Sequence, residues 1–193
     1  IGFAKTVQAY CLMRVLNLTD TNGARTNYDG VTATPVATKA EVLTEIESLL
    51  DAGSTSLTAA GSAFSFTLSS GFDGFNTPST FAHFNRGLRA RAAVLQDDWS
   101  VAQTALTACA DWMNSADGDV GVYHVFSSGA NDGDNQMYED PNAATLKLMV
   151  HPTFLTDADS GDARVTNNVL VRSDTITYDG LQSYLAPTLY NNS

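Results

Sequence analysis

Apolar residues recur every three to four positions in four stretches of the N-terminal part of the chain. Such spacing places them on one face of a helix. The pattern predicts helices over about 3–18, 39–53, 78–95 and 99–113. The buried stripe expected in the first helix comprises Val7, Cys11, Leu12, Val15 and Leu16. The stripe expected in the second comprises Val42, Leu43, Ile46, Leu49 and Leu50.

Polar residues mark two of the predicted helix starts. Thr38 is followed three residues later by Glu41, which is the spacing of a capping box. Thr77 precedes Pro78, and proline suits the first helical position because its missing N–H would have no partner there. Alternating apolar and polar residues over 64–68 fit either a short strand or an extended loop laid over the helices.

The second half of the chain has a different composition. After about residue 117, Gly, Asp, Asn and Ser dominate, and apolar residues return mainly in 120–126, 143–150 and 165–176. One short helix is predicted over 142–149. The whole chain therefore predicts a mainly α fold, with helical hairpins, long irregular loops and few short strands.

The expected organisation is a helical scaffold over 1–116, followed by a loop-rich segment of the same domain over 117–193. Loop insertions interrupt the scaffold at about 19–38 and 54–76. Two helix-length segments meet at a short acidic turn within 83–116 and resemble a tetratricopeptide hairpin. The residues that carry this resemblance are the small Ala90, Ala102 and Cys109 and the aromatic Trp99.

Small side chains let antiparallel helices approach closely, and a large aromatic can fill the wedge at the open end of the pair. Trp99 and Trp112 are accordingly expected in the core. Arg89 and Ala93 depart from the tetratricopeptide pattern, which prefers large apolar and aromatic residues there.

Four segments resemble, in their order and spacing, the SusD/RagB family of surface-exposed nutrient-binding lipoproteins of bacterial outer membranes. They are GFAKTVQAY, EVLTEIESLLDAG, RARAAVLQDDWSVAQTAL and HPTF…DADSGDAR. The resemblance implies a tetratricopeptide-like scaffold and a non-catalytic protein that captures oligosaccharide or another nutrient polymer fragment. The expected partner is a SusC-like TonB-dependent transporter. The GDAR element implies that Asp162 and Arg164 pin their loop by an ion pair and backbone hydrogen bonds.

The same resemblance implies that this chain is an internal fragment of a protein on the extracellular face of the outer membrane. Attachment is expected only through an N-terminal lipid outside this segment, since no run approaches the roughly 20 apolar residues that span a bilayer. The chain has 10 Lys and Arg against 21 Asp and Glu, a net charge of −11. This balance argues against nucleic acid, because phosphate binding needs clustered cations.

No catalytic, cofactor or metal site is predicted. His83, His124 and His151 lack the spacing of a zinc site, and no acidic pair is singled out as a glycosidase pair. Three acidic turns, at 117–119, 131–135 and 157–162, are expected to form local hydrogen bonds, with calcium binding as the alternative. Cys11 and Cys109 are expected as buried small hydrophobes, and a disulfide between them is the open alternative.

Aromatic residues in loop-like segments are the candidate ligand contacts, because the family stacks aromatic faces on sugar rings. These residues are Tyr28, Phe72, Phe75, Tyr123, Phe126, Tyr138, Tyr178 and Tyr184. Tyr123, Phe126, Tyr138 and Tyr178 are the predicted ligand-binding residues. Two other functions stay open: an extracellular helical-repeat scaffold that binds only proteins, and a glycan-degrading enzyme.

Overall fold

A computed structural model describes residues 1–27, 30–31, 34–110, 120–127 and 133–189. The chain divides into two compact units, Ile1–Tyr123 and His124–Ser193. Among these residues, the first unit contains the α-helices α1 (Gly2–Thr19), α2 (Lys39–Thr58), α3 (Pro78–Val94) and α4 (Trp99–Thr107). Each packs on the next along the chain, and the predicted mainly α fold of helical hairpins is confirmed.

A contact between their ends shows that α1 and α2 run antiparallel. Gly2, at the start of α1, lies against Leu57, near the end of α2. Both predicted helix starts are confirmed. The Thr38 amide donates to Glu41 Oε2 at 2.8 Å, and Thr77 forms a second capping box with Thr80.

Helix α2 confirms the predicted stripe, since all five of its residues are buried. The helix also continues past residue 53, because Leu57 packs against Phe75 and Phe81. In α1 the prediction is partly wrong. Its buried face is Gly2, Thr6, Ala9, Leu12, Met13 and Leu16.

Cys11 and Val15 lie on the solvent side of α1. Apolar residues surround α1 almost evenly, so their spacing did not fix which face is buried. Cys11 is therefore exposed, contrary to the prediction, and both cysteines are free thiols. Cys109 is buried as predicted, and this burial raises the pKa of its thiol.

Small residues form the contact of α4 with α3, as the hairpin pattern predicts. Ala90 and Ala102 are each 4% exposed. The prediction that Trp99 lies in the core is wrong, because Trp99 is 64% exposed. Leu106, two turns further on, lies on the same outer face, whereas Ala102 and Ala105 face inward. Trp112 lies outside the described residues.

Segment 64–68 is a loop that bends at Ser65 and Phe66, and it does not form a strand. It lies over a cluster of phenylalanine rings centred on the fully buried Phe81. The Phe3 and Phe81 rings lie 4.8 Å apart, and Phe72 and Phe84 complete the surroundings. Phe72 and Phe75, expected in ligand-accessible loops, thus belong to the packing of this cluster.

The second unit contains α5 (Thr153–Thr156), α6 (Ala163–Asn168) and an antiparallel hairpin of β1 (Val169–Tyr178) and β2 (Leu181–Pro187). Asp179 and Gly180 connect the strands with φ values of 48° and 79°. Two such residues in sequence are typical of a type I′ turn, whose twist matches that of the strands.

The prediction of a helix over 142–149 is wrong, because this segment forms turns and bends. The carboxylate of Glu139 accepts the N–H groups of Lys147 at 2.7 Å and Leu148 at 2.8 Å. These backbone donors are therefore satisfied by a side chain instead of a helical ladder. Leu146 from this segment packs with Ile176 and Ala186 in the core of the second unit.

The predicted pairing of Asp162 and Arg164 is confirmed. Asp162 caps α6 by accepting the Arg164 amide at 2.9 Å, and its carboxylate lies 2.6 Å from the Arg164 guanidinium. These contacts hold the pKa of Asp162 below its ordinary value. The turn at 157–162 therefore uses this carboxylate for local bonds.

Candidate functional site

A buried polar network joins α1, α2 and α3. Asn85 is fully buried, and its Nδ2 donates to Thr6 Oγ1 at 2.7 Å and to the Leu50 carbonyl at 3.0 Å. Glycine at position 53 makes room for it, since a Cβ there would lie 3.0 Å from both Asn85 Nδ2 and Thr6 Oγ1. The close approach of α2 thus depends on this glycine.

The network continues outward to Arg86. Its Nε and Nη2 donate to Asn85 Oδ1 at 2.8 and 2.6 Å, and Nη2 also donates to the Leu50 carbonyl at 2.7 Å. Its Nη1 donates to Asp51 at 2.9 Å. Four hydrogen bonds hold the guanidinium in one orientation.

Arg89 extends the same network by one turn of α3. It forms ion pairs with Glu47 and Asp51 of α2. The Arg89 and Glu47 side chains are 11% and 22% exposed, whereas the side chain of Asp51 is 53% exposed. Water therefore screens the pair with Glu47 less than the pairs with Asp51. Two cations and two carboxylates give this cluster no net formal charge.

A groove of about 560 Å³, here called the polar groove, lies beside this network between the end of α2 and α3. Its small side chains include Ala60, Ala82 and Ala108. Its polar lining is Ser54, Thr58, Ser62, Ser79, His83 and Arg86. Hydroxyl groups and one imidazole therefore face a space that small side chains keep open.

Several polar groups of this groove are available to a ligand. Within the described ranges, no hydrogen bond engages the His83 ring or the hydroxyls of Ser54 and Ser62. By contrast, Thr58 donates to the Ser54 carbonyl at 3.0 Å. The unpaired groups can each donate or accept a hydrogen bond from a bound molecule.

A second groove of about 470 Å³, here called the aromatic groove, lies on the other side of the end of α2. It shares Leu57 and Ala60 with the polar groove, so the two adjoin. Phe3, Phe64 and Phe66 line it, and it contains no charged side chain.

The rings of Phe64 and Phe66 form the exposed part of this lining. They stack with centroids 5.1 Å apart and planes 24° apart. Phe66 is 48% exposed and is held edge-on against Phe3 at 5.3 Å. The result is a supported aromatic surface open to solvent, next to a groove rich in hydroxyl groups.

The predicted ligand aromatics lie elsewhere. Tyr123 belongs to the first unit, is 53% exposed, and donates its amide to the Gly71 carbonyl at 2.9 Å. Phe126, Tyr138 and Tyr178 belong to the second unit, where no ring contact between described residues joins them. None of the four lines either groove.

Within the second unit, these aromatics have separate surroundings. Phe126 is half-buried against the His124 ring at 4.4 Å. Tyr138 is half-buried in a turn, where its amide donates to the Asn135 carbonyl. Tyr178 ends β1 and is 45% exposed. Tyr178 and Tyr123 thus have the open ring surface that stacking requires, while Phe126 and Tyr138 offer less.

The sequence does not predict the residues of the two grooves as ligand contacts. The Phe64 and Phe66 rings stack on each other in a segment whose backbone bends at Ser65 and Phe66. The alternation of apolar and polar residues over 64–68 is present in the sequence, but it does not show that the Phe66 ring stays exposed. His83 was visible only as an isolated histidine, and its groove forms only when α2 and α3 pack together.

No metal site is found among the described residues, which contain no suitable group of three or more His, Cys, Asp or Glu. The acidic turn at 117–119 and part of that at 131–135 lie outside those residues. In the part of the chain that the structure covers, no helix is long and apolar enough to cross a bilayer.

Comparison with known proteins found no matching protein-family model, curated protein or solved structure.

Proposed function

We propose that this chain is part of a nutrient-binding protein of the SusD/RagB type, which captures oligosaccharide at the extracellular face of the outer membrane. It would deliver the sugar to a SusC-like TonB-dependent transporter and be held by an N-terminal lipid outside this segment. The supporting observation is the exposed Phe64–Phe66 surface directly beside the hydroxyl-lined polar groove. The family and transporter parts of the proposal rest on the sequence resemblance.

The chemistry of the two grooves suits a sugar. A pyranose ring presents C–H groups on its faces and hydroxyl groups around its edge. Phe66 offers an aromatic face for the first, and His83, Ser54 and Ser62 offer hydrogen bonds for the second. Pockets that bind small molecules commonly combine an apolar lining with a few placed polar groups in volumes of about 300–1,000 Å³.

The helices beneath the grooves support binding by holding the lining in place. The Asn85 network connects three helices, and Phe66 rests on Phe64 and Phe3. A site formed before the ligand arrives loses less conformational entropy on binding. A groove lining that is held in place in this way favours a role in capturing oligosaccharide.

Calorimetric titration of the intact protein against a panel of oligosaccharides tests the proposal. Phe66→Ala should weaken binding by about 1–3 kcal/mol, the scale of one aromatic stacking contact. His83→Ala should weaken it as well. Phe154→Ala is the matched control, because Phe154 is 49% exposed and lies outside both grooves. Unchanged affinity in both groove variants would overturn the proposed site.

A second candidate function, protein binding by a helical scaffold, is favoured by the outer face of α4. Trp99 and Leu106 are 64% and 39% exposed on the same side of this helix. Exposed aromatic and aliphatic residues are common at protein interfaces. A photo-crosslinking residue at position 99 of the intact protein, tested on cells, would reveal such contacts.

The outcomes separate the candidates. Crosslinks to a TonB-dependent transporter, together with oligosaccharide binding, support capture and delivery. Crosslinks to other proteins without oligosaccharide binding favour the scaffold. Release of reducing ends from the bound sugar would instead favour the glycan-degrading enzyme.

A further inference from the structure

We infer that the two grooves select uncharged oligosaccharides over those bearing carboxylate or sulfate groups; this rests on the proposed function and specifies its substrate class. Among the described residues that line the polar groove and the smaller groove next to it, the permanent cations are Arg86 and Arg89. An ion pair between an acidic sugar in the polar groove and a permanent cation of its lining would have to use one of them.

All three nitrogens of the Arg86 guanidinium and two of the three in Arg89 already donate to resident acceptors. The Nε and Nη2 groups of Arg86 donate to Asn85 Oδ1, and Nη1 donates to Asp51. Arg89 pairs with Glu47 and Asp51. A carboxylate binds arginine most strongly through two parallel N–H bonds from neighbouring nitrogens, and in both side chains at least one nitrogen of each such pair already donates to a resident acceptor.

Displacement of the resident carboxylates would be unfavourable. An acidic sugar that took the place of Asp51 would bring a second negative charge next to the Asp51 carboxylate, and the two would repel each other. The four-charge cluster is neutral as it stands, so it supplies no excess positive charge to attract an anion.

The remaining surroundings also disfavour an anion. The aromatic groove has no charged side chain, so a carboxylate placed against the Phe64 and Phe66 rings would lose hydration without gaining a side-chain ion pair. The chain as a whole carries a net charge of −11, which repels anionic ligands at long range. Hydroxyl groups and a single imidazole instead match the hydroxyls of a neutral sugar.

The test uses matched probes on the intact protein. A panel of neutral oligosaccharides is titrated by calorimetry, and each member is also oxidised at C6 to convert its primary alcohols to carboxylates. The oxidised form of any sugar that binds should bind about tenfold more weakly or worse. Equal or tighter binding of oxidised forms would overturn the selectivity while leaving oligosaccharide binding intact. Absence of binding by both forms would overturn the proposed function, and the selectivity with it.

Asp51→Asn provides an independent check, because it removes the carboxylate shared by Arg86 and Arg89. This variant should raise the affinity for oxidised relative to neutral sugar by about fivefold or more. A purely structural role of Asp51 would lower both affinities together and leave their ratio unchanged, which would contradict the inference. Asp73→Asn changes an exposed carboxylate outside the grooves and should leave the ratio as in the wild type.

Discussion

Substitution of Asn85 by alanine should be among the most damaging single changes in the helical unit. The side chain is fully buried and makes hydrogen bonds to three residues, Thr6, Leu50 and Arg86. Thr6 would keep its bond to the Gly2 carbonyl, and the Leu50 carbonyl would keep its bond from Arg86. The Nε of Arg86 would lose its acceptor in a half-buried setting.

The magnitude follows from these separate losses. Each of the two amide bonds contributes about 1 kcal/mol, and a bond to a charged group contributes about 1.5–3 kcal/mol. The total is roughly 3–5 kcal/mol, before any cavity term. For a chain of this size, each kcal/mol lowers Tm by about 2–4 °C. Asn85→Ala should therefore lower Tm by roughly 10 °C.

Thermal and urea unfolding followed by circular dichroism provide the measurement. Asn17→Ala is the control, since Asn17 is exposed on α1 and should change the free energy of unfolding by less than about 0.5 kcal/mol. Asn85→Leu refills the volume without polar atoms and should remain destabilised by about 2 kcal/mol. An Asn85→Ala protein that melts within about 2 °C of wild type would refute the importance of the network.

Three further predictions concern the helices. Ala102→Leu should overpack the contact of α4 with α3 and lower the free energy of unfolding by about 1–3 kcal/mol in urea titrations; an unchanged midpoint would remove the close-packing argument. Trp99→Ala should change that free energy by less than about 1 kcal/mol, because the ring is 64% exposed. A loss of about 3–5 kcal/mol would show that the Trp99 ring is buried in the core after all. Glu41→Ala should be destabilising at neutral pH. Bonds from Thr38 hold the pKa of Glu41 below its ordinary value, so this stabilisation is complete above that value and is lost as pH falls through the folded-state pKa. The Tm difference from wild type should shrink between about pH 7 and pH 3, and a constant difference would contradict the charged cap.

Local chemistry explains which elements were predictable. Helix α2 was predicted well because its apolar stripe is confined to one face and Thr38 with Glu41 fixes its start. The hairpin of α3 and α4 was predictable because Ala90 and Ala102 permit a close approach. These signals reside in neighbouring residues and need no knowledge of the rest of the fold.

Tertiary packing decided the remaining elements. The buried face of α1 depends on its contact with α2, where Gly2 and Gly53 allow the approach, and not on its own apolar spacing. Segment 142–149 has helical spacing, yet Glu139 captures its backbone donors. These backbone groups therefore bond to a side chain eight and nine residues earlier in the chain instead of forming the helix that the spacing predicts.

The two grooves could not have been predicted for the same reason. Their lining comes from the end of α2, from α3 and from the loop that carries Phe64 and Phe66. The sequence predicts ligand aromatics in Gly- and Asn-rich loops, whereas this aromatic surface lies in a Ser-rich segment supported by the phenylalanine cluster. Exposure of Phe66 beside a hydroxyl-lined groove is a property of the assembled helices.

Hydrogen exchange of the intact protein, with and without a bound oligosaccharide, tests the central claim most directly. Mass spectrometry of the exchanged peptides locates the surface that the ligand protects. If the oligosaccharide binds in the two grooves, it should slow exchange in peptides covering 54–66 and 79–86, and this protection should be lost in Phe66→Ala. Protection confined to the peptides around Tyr123 or Tyr178, with 54–66 unchanged, would contradict it.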